Sequence, residues 1–266
     1  MSKKESTQKT LLVAFLLCLV CSVVIAGSVV LLKPTQEINK ALNLKMNILA
    51  AAGLLQEDHN AADVEAAFSK IEAKLVDLDT GLYVEPEVVG RKTALAYDQR
   101  KASKHPNLSD SLPAEQDIAS IKRRVKYAKV YLVKQNDKLK TIILPVSGYG
   151  LWSTLRGFIA LEKDVNTIVG LGFYEHAETP GLGGEVDNPR WKALWPGKKL
   201  YDFDKSDEPE IQLIKGSVDS STKNAAYKVD GLAGATLTSR GVTNLIQFWV
   251  GKNGFQPFLN RLRKEV

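Results

Sequence analysis

A loop of small and hydroxyl-bearing residues stands directly before the best helix pattern of the sequence. It covers residues 230–236, DGLAGAT, and Thr238 and Ser239 follow it. Gly234 and Ala235 would let a ligand approach the backbone, and the helix would offer unpaired N–H groups and the positive end of its dipole. Such a place suits a phosphate group. Gly-Ala-Thr before a helix is common, so the loop alone is better explained as a capped loop with packing glycines.

Two further glycine-bearing loops could form a binding surface for a flat ring. Residues 147–152, SGYGLW, contain Leu151 and Trp152, and residues 178–184, ETPGLGG, contain Leu182. Apolar side chains beside backbone donors suit a planar ring system with polar edges. A nicotinamide site of the Rossmann type is excluded, because no G-x-G-x-x-G occurs in a βαβ setting. The 230–236 loop is likewise no P-loop, since it lacks a G-K-[ST] ending.

Polar residues near these loops have both a binding and a structural explanation. Ser153 and Thr154 could bond the edge of a ring, but surface turn hydroxyls explain them equally well. Lys215 and Arg240 are possible phosphate partners, although such side chains alone are more often solvated. His176 lies beside the second loop and is more often a structural histidine.

Strand patterns alternate with turns from residue 128 onward. Residues 130–133 and 139–144 predict one hairpin across a Gln-Asn-Asp turn, and residues 156–161 and 168–174 predict a second. A final helix is predicted from apolar residues at i, i+3, i+4 and i+7, which are Val242, Leu245, Ile246 and Trp249. Thr238 or Ser239 could cap its start, and Gly251 or Gly254 could end it. The fold class predicted is α+β.

The region before these strands is predicted to be mainly helical. Pro34 would end the span, and residues 35–80 are interpreted as helical because apolar residues recur on one helix face, at Val64, Phe68, Ile71, Leu75 and Leu78. This region would be a stalk or a packing layer. Residues 86–113 are polar and irregular, which favours a surface excursion or linker.

A membrane span is predicted at residues 11–32, which carry no formal charge. At ~1.5 Å per residue the run reaches about 33 Å, enough to cross a bilayer core. Lysines precede it, which mildly favours a cytoplasmic N-terminus. A cleaved signal peptide is the alternative, but the run is longer than a usual signal-peptide core. The predicted domains are residues 1–10 (cytoplasmic), 11–32 (span), 33–114 (helical and linker) and 115–266 (globular).

Composition limits the classes of partner. The 266 residues are 44% hydrophobic and 25% charged, with a net charge of +6. The basic residues are scattered among acids without interleaved aromatics, so no nucleic-acid partner is expected. The two cysteines, Cys18 and Cys21, both lie in the apolar run, where they are best explained as small lipid-facing residues. No metal site is therefore expected.

The three loops together resemble the signatures of the FMN-binding domain family. The matching residues are 148–152 (GYGLW), 178–183 (ETPGLG) and 230–239 (DGLAGATLTS), in that order along the chain. Three motifs in order are much more specific than any one. The resemblance implies FMN joined through its phosphate to Thr236 by a separate flavin transferase that uses FAD, with Thr238 as the second candidate acceptor. Ala233 stands where family members usually have Ser or Thr, which puts recognition by the transferase in question.

The resemblance also implies which residues surround the flavin. The ring pocket would be lined by Leu151, Trp152, Thr179, Pro180 and Leu182, with Glu178 and Gly181 in the same loop. The phosphate end would be held by Gly234, Ala235, Leu237, Thr238 and Ser239, with Lys215 nearby. Ser153 and Thr154 would contact the ring edge.

The family includes electron carriers of ion-pumping membrane complexes, which implies other membrane subunits as partners. The single span and residues 191–197, WKALWPG, resemble the family members that belong to a sodium-exporting NADH:quinone oxidoreductase, and this resemblance implies the same complex here. The expected location is the bacterial inner membrane, with the FMN domain outside the cytoplasm. A G-type flavin carrier of a ferredoxin-linked ion-pumping complex is the first alternative. A membrane-tethered assembly module without redox activity is the second.

Overall fold

The chain forms two compact units, described by a computed structural model at residues 6–55 and 58–265. The first unit comprises residues 1–43 and the second residues 44–266. A long helix, α1 (Thr7–Ala51), contributes residues to both units. Residues 1–5 of the predicted cytoplasmic N-terminus lie outside the described residues.

The described part of the first unit is helical and strongly apolar. Residues 7–32 of α1 are exposed, and the most apolar window has a mean hydropathy of 2.9 with none of it buried. A helix of this length and composition can cross a membrane. The apolar segment coincides with the span predicted at residues 11–32.

Pro34, which follows the predicted span, does not end the helix. α1 continues through Pro34 to Ala51. A proline within a helix removes one N–H and crowds the carbonyl four residues earlier, yet the hydrogen bonds of the turns on either side remain. The helix therefore tolerates Pro34.

Within the described residues, the second unit adds five α-helices and ten strands to the end of α1. In chain order they are α2 (Ala61–Phe68), β1 (Ile71–Asp77), β2 (Tyr83–Val84), α3 (Gln99–Ala102), β3 (Ser109–Ser111), β4 (Arg123–Val125), β5 (Tyr127–Gln135), β6 (Lys138–Tyr149), β7 (Thr154–Glu162), β8 (Ile168–Glu175), α4 (Pro189–Lys192), β9 (Gln212–Ile214), β10 (Lys228–Asp230), α5 (Thr236–Val250) and α6 (Gln256–Glu265). The main sheet is antiparallel, in the order β2-β1-β5-β6-β7-β8. The predicted α+β class is confirmed.

Both predicted hairpins are present in this sheet. β5 pairs with β6, and β7 pairs with β8. Asn136 and Asp137 form the first turn with φ of 52° and 59°, the backbone region that two-residue hairpin turns use. The residues that close each hairpin are neighbours in sequence, which is why local patterns found them.

The predicted helix over residues 35–80 is only partly correct. α1 continues to Ala51 and α2 covers Ala61–Phe68, but Ile71–Asp77 is strand β1. β1 pairs with β5 over its full length, from Ile71 opposite Val133 to Asp77 opposite Tyr127. That pairing supplies backbone hydrogen bonds and cross-strand contacts which outweigh the helix-like spacing of Ile71 and Leu75.

Helices cover both faces of the sheet. On one face α5 approaches β6 so closely that a Cβ on Gly148 would lie 2.4 Å from Cβ of Leu245. On the other face the end of α1 and α2 pack, and the rings of Phe68 and Tyr131 meet edge to face at 6.2 Å. The region predicted as a packing layer therefore covers the sheet, and α5 is held at a fixed distance from the β6 end.

Candidate functional site

The start of α5 leaves its backbone donors without a side-chain cap. The loop from β10 reaches Gly234, whose φ of 70° favours glycine, and then Ala235, which precedes the helix and supplies no side-chain hydrogen bond. Thr236 is the first helical residue and its side chain is exposed. The prediction that Thr238 or Ser239 caps the helix is wrong, because the helix begins before both residues.

The hydroxyls of Thr238 and Ser239 are used inside the protein. Thr238 is 1% exposed, and its Oγ1 donates to Oε2 of Glu178 at 2.8 Å. Oγ of Ser239 accepts the N–H of Leu232 at 2.9 Å and so fixes the loop against the first turn. Thr238 was predicted among the phosphate-binding residues, but its side chain is directed away from the surface. Of the two threonines, only Thr236 offers an exposed hydroxyl.

Glu178 joins the second loop to the first loop and to α5. Its carboxylate accepts the N–H groups of Leu151, Trp152 and Ser153 at distances of 3.0 to 3.2 Å, in addition to the Thr238 hydroxyl. Glu178 is 5% exposed. Burial alone raises the pKa of the carboxyl, but the hydrogen bonds from Thr238 and from the three N–H groups outweigh burial and lower the pKa. Glu178, predicted among the cofactor-contacting residues, has its carboxylate engaged by these internal hydrogen bonds.

Neighbouring polar groups hold the segment that carries Glu178. The N–H of Glu178 donates to Nδ1 of His176 at 3.2 Å, and Nε2 of His176 lies 2.7 Å from Oδ2 of Asp187. Oγ of Ser153 accepts the N–H of Ala177 at 2.7 Å. His176 is thus structural, as the sequence favoured. Ser153, predicted to contact the ring edge, has its hydroxyl engaged in the loop.

Close backbone contacts bring the three loops together. A Cβ on Gly183 would lie 2.6 Å from Oγ1 of Thr238, and one on Gly150 would lie 2.6 Å from Oε1 of Glu178. A Cβ on Gly241 would lie 2.5 Å from the carbonyl oxygen of Tyr149. Because neighbouring atoms lie so close to the backbone at these three positions, only glycine fits there. Any larger residue would force the loops apart.

Apolar side chains around the same place are exposed. Leu151, Trp152, Leu182 and Leu237 are exposed by 37%, 65%, 44% and 52%. We call these four residues the apolar rim. A Cβ on Gly234 would lie 3.0 Å from Cδ2 of Leu182, so the rim reaches the loop that carries Thr236. A group of exposed apolar side chains is typical of a ligand-binding surface.

The remaining predicted ring residues lie in the same two loops. The carbonyl of Thr179 accepts the N–H groups of Leu182 and Gly184, which closes the turn that carries Pro180 and Gly181. The side chains of Thr179 and Pro180 are exposed, whereas Thr154 is half-buried at the start of β7.

A cavity of about 830 Å³ opens beside Thr236. Its lining residues come from α4, β9, β10, the loops that follow these strands, and α5: Asn188, Arg190, Trp191, Leu194, Gln212, Leu213, Ile214, Lys215, Gly216, Ser217, Asp230, Gly231, Leu232, Ala233, Gly234, Thr236, Ser239, Arg240 and Thr243. Lys215, Gly234 and Ser239, all predicted site residues, line it. None of the apolar rim residues does. Thr236 therefore borders a cavity that is distinct from the rim.

The cavity carries an excess of positive charge. Three cationic side chains, Arg190, Lys215 and Arg240, line it, against one acid, Asp230. None of the three forms an ion pair or side-chain hydrogen bond within residues 6–55 and 58–265. Asp230 is already engaged, because its Oδ1 accepts the N–H of Val218 at 2.8 Å. Unpaired cations around a hydroxyl and an uncapped helix end suit an anionic ligand such as a phosphate ester.

Many residues that line the cavity were not predicted from the sequence, and two of them belong to α4. Arg190 and Trp191 belong to α4, and Nε1 of Trp191 donates to the carbonyl of Asp230 at 3.0 Å. That bond fixes α4 against the loop that leads to Thr236. Asn188-Pro189 is a recognisable helix start, but its position next to β10 depends on contacts between residues far apart in the chain.

The comparisons with known proteins agree with this geometry. A family model described as the FMN-binding domain matches residues 150–251, which contain Glu178, Thr236 and every residue that lines the cavity. The fold and the site thus define a protein of the FMN-binding domain class.

Relatives identify a narrower family. The chain is 57% identical to the C subunit of the Na(+)-translocating NADH-quinone reductase of Pseudomonas aeruginosa, over 99% of both chains. It is 44% identical to the C subunit of the same reductase from Yersinia pestis, over 98% of this chain and 94% of that protein. The chain belongs to the family formed by the C subunits of Na(+)-translocating NADH-quinone reductases.

Solved structures show the same fold. The crystal structure of Shewanella oneidensis NqrC matches with a TM-score of 0.75 and 37% identity, over 85% of this chain and 99% of that one. The crystal structure of the C subunit of the Na(+)-translocating NADH-quinone reductase from Parabacteroides distasonis matches with a TM-score of 0.62 and 25% identity, over 87% of this chain and 96% of that one.

Proposed function

We propose that this chain is the FMN-carrying electron-transfer subunit of a Na(+)-translocating NADH-quinone reductase. We further propose that FMN is joined through its phosphate to Oγ1 of Thr236. The observation that carries this proposal is the exposed hydroxyl of Thr236 at the uncapped start of α5, beside a cavity lined by three cations. The Na(+)-translocating reductase is the complex that the relatives' names give.

The residues around Thr236 fit a flavin phosphate ester. The ester would retain one negative charge, which Lys215, Arg240 and the N–H groups at the start of α5 would stabilise. The apolar rim, together with Thr179 and Pro180, would cover part of an isoalloxazine ring. The polar contacts of Glu178 and Ser153 are satisfied within the protein, so both residues support this surface from beneath.

Attachment would require a flavin transferase with FAD as the donor. A bond forms between Oγ1 of Thr236 and the phosphorus of the FMN moiety, while the pyrophosphate bond of FAD breaks. AMP leaves, and the hydroxyl proton passes to a base of the transferase. Exposure of Thr236 supports this proposal, because a second protein must reach its hydroxyl.

FMN, when bound, supplies the redox chemistry, since its ring accepts and releases electrons. The chain's own residues tether the phosphate end, fix the loops and leave one face accessible to partner subunits. An electron carrier needs no acid–base constellation, and the polar side chains of Glu178, Ser153 and Thr238 are bonded within the protein. Exposure of the apolar rim suits a carrier that passes electrons to a neighbouring protein.

The helix α1 would anchor this domain in the bacterial inner membrane. The lysines before the apolar segment support a cytoplasmic N-terminus, and the FMN domain would then lie outside the cytoplasm. Labelling of a Ser221→Cys variant by a membrane-impermeant maleimide tests this orientation. Labelling in intact cells is expected. Labelling only after lysis would reverse the proposed topology.

Covalent attachment is tested by flavin fluorescence after denaturing electrophoresis. The full chain is produced with the transferase as wild type, Thr236→Ala and Thr236→Ser. Wild type and Thr236→Ser retain the hydroxyl and should fluoresce, whereas Thr236→Ala should not. Wild-type protein made without the transferase is the negative control. A fluorescent Thr236→Ala band would refute attachment at this residue.

A further inference from the structure

Glu178 is a buried acid that no cation accompanies. Its side chain belongs to a residue that is 5% exposed, and it forms no ion pair within residues 6–55 and 58–265. Glu175, in the same segment, is 40% exposed and pairs with Arg100 and Arg156. Burial of a charge is unfavourable, and proteins usually offset it with an opposite charge. The charge of Glu178 therefore needs an explanation.

Neutral donors keep the carboxylate of Glu178 ionised. Oε1 accepts the N–H groups of Leu151, Trp152 and Ser153 at 3.1, 3.0 and 3.2 Å. Oε2 accepts the hydroxyl of Thr238 at 2.8 Å. Burial raises the pKa of this carboxyl, but the hydrogen bonds outweigh burial and lower the pKa. Glu178 therefore carries a negative charge at neutral pH.

The hydrogen bonds alone do not require a charge at position 178. A glutamine there would offer one carbonyl oxygen to the three N–H groups that converge on Oε1. Its NH₂ group could donate to Oγ1 of Thr238, since a hydroxyl oxygen can also accept. Glutamine would thus connect the same loops without a buried charge. The connection between the loops does not explain why the residue is an acid.

The carboxylate of Glu178 lies directly beneath the apolar rim. Two of its donors are the N–H groups of Leu151 and Trp152, whose side chains belong to the rim. A third rim residue, Leu182, precedes Gly183, and a Cβ on Gly183 would lie 2.8 Å from Oε2 of Glu178. A flavin ring that contacts the rim would therefore be separated from this charge only by the rim residues.

We infer that Glu178 lowers the reduction potential of the FMN that this domain carries, because its fixed negative charge disfavours the arrival of an electron on the ring. The inference rests on the proposed function. An added electron brings a second negative charge close to the carboxylate, and the repulsion raises the free energy of the reduced state. Arg190, Lys215 and Arg240 line the cavity, which no rim residue borders, so their charges act mainly on the phosphate end.

The expected effect follows from Coulomb's law. Two unit charges on the order of 10 Å apart, at an effective dielectric constant of about 20, change an equilibrium constant by roughly tenfold. A tenfold change in the equilibrium for one-electron reduction corresponds to about 59 mV. Removal of the Glu178 charge should therefore raise the potential of the first electron by about this amount.

Reduction potentials of the flavin-loaded protein test the inference. Wild type, Glu178→Gln and Glu175→Gln are produced as full chains in detergent with the flavin transferase, and each flavin is titrated anaerobically at pH 7 against reference dyes. The potential of Glu178→Gln should lie about 59 mV above that of wild type. Glu175→Gln is the matched control, because it removes the same formal charge from an exposed, ion-paired side chain. Its equilibrium constant should change by less than about twofold, since solvent screens that charge.

A second neutral variant guards against a local effect of glutamine. Glu178→Ala also removes the charge, and water can enter the space to accept the freed N–H groups. Its potential should rise in the same direction as that of Glu178→Gln. If neither neutral variant folds, the charge serves the fold, and the inference is overturned.

Two further results would overturn the inference. An unchanged potential in folded, flavin-loaded Glu178→Gln would mean that Glu178 only connects the loops. An equal rise in Glu175→Gln would show that the potential depends only on net charge. Failure of the proposed function looks different, because wild type would then carry no flavin after denaturing electrophoresis.

Discussion

The buried cluster around Glu178 and the surface around Thr236 lie next to each other but differ in hydrogen bonding. In the cluster, Glu178 and Thr238 have short internal partners. At the surface, Thr236 is exposed, the start of α5 has no side-chain cap, and Lys215 and Arg240 have no ion-pair partner within the described residues. Buried polar groups are normally paired, so the cluster is ordinary and the unpaired surface requires another explanation.

This difference indicates that the buried cluster and the surface around Thr236 have different roles. The cluster fixes the positions of the loops, and the surface keeps its hydrogen-bonding and charge capacity for a ligand. Substitutions in the cluster should therefore reduce stability, whereas substitutions at the surface should change flavin binding and leave stability unaltered.

The largest loss of stability is expected for Gly241→Ala. The new Cβ would lie 2.5 Å from the carbonyl oxygen of Tyr149 and 2.9 Å from Cα of Gly150, so α5 must move away from β6. We expect the free energy of unfolding to fall by about 1–3 kcal/mol, measured by urea denaturation of the full chain in detergent. Gly172→Ala is the matched control, since its Cβ would meet no atom closer than 4.0 Å. Equal losses in both variants would refute the close packing of α5.

The cluster should also make stability depend on pH. The folded pKa of Glu178 is lowered from its ordinary value of 4.5. The ionised carboxylate of Glu178 therefore contributes fully to the free energy of unfolding above pH 4.5. That contribution is lost as the pH falls through the folded pKa of Glu178. Thermal unfolding of wild type should lose more stability on acidification than that of Glu178→Gln. Parallel pH profiles for the two proteins would contradict the assignment.

A smaller effect is expected for the cavity cations. In the Thr236→Ala background, the protein should bind added FMN without a covalent bond. A further Lys215→Ala substitution should weaken that binding about two- to fivefold, the range for an exposed charge contact. Isothermal titration with Lys223→Ala as control measures this, because Lys223 does not line the cavity. An equal effect of both substitutions would show only a dependence on net charge.

The smallest effect on stability is expected for Trp152→Ala. The side chain is 65% exposed, so the free energy of unfolding should change by less than about 0.5 kcal/mol. If the apolar rim covers the ring, iodide should quench the attached flavin more strongly in the variant than in wild type. Unchanged quenching would show that the Trp152 side chain does not cover the flavin ring.

The sequence predicted best those features that depend on neighbouring residues. Both hairpins were found because turn and strands are adjacent, and α5 was found from one apolar face that ends at Gly251. Strand β1 was missed because its partner β5 lies far along the chain, so helix-like spacing had no competing local signal.

The same distinction applies to the site. Thr236 and Lys215 were identified from loop motifs and charge, and both border the cavity. The role of Glu178 was missed because its bond to Thr238 joins residues 60 positions apart. Arg190 was missed for the same reason, since only the packing of α4 against β10 brings it to the cavity.

The most direct test of the account is peptide mapping of the protein purified from its native host. Trypsin cleavage after Lys228 and Arg240 releases one fragment, VDGLAGATLTSR, that contains both threonines. The account predicts this fragment with the added mass of FMN less water, and fragmentation that assigns the modification to Thr236. An unmodified fragment from cells that contain an active flavin transferase would contradict it.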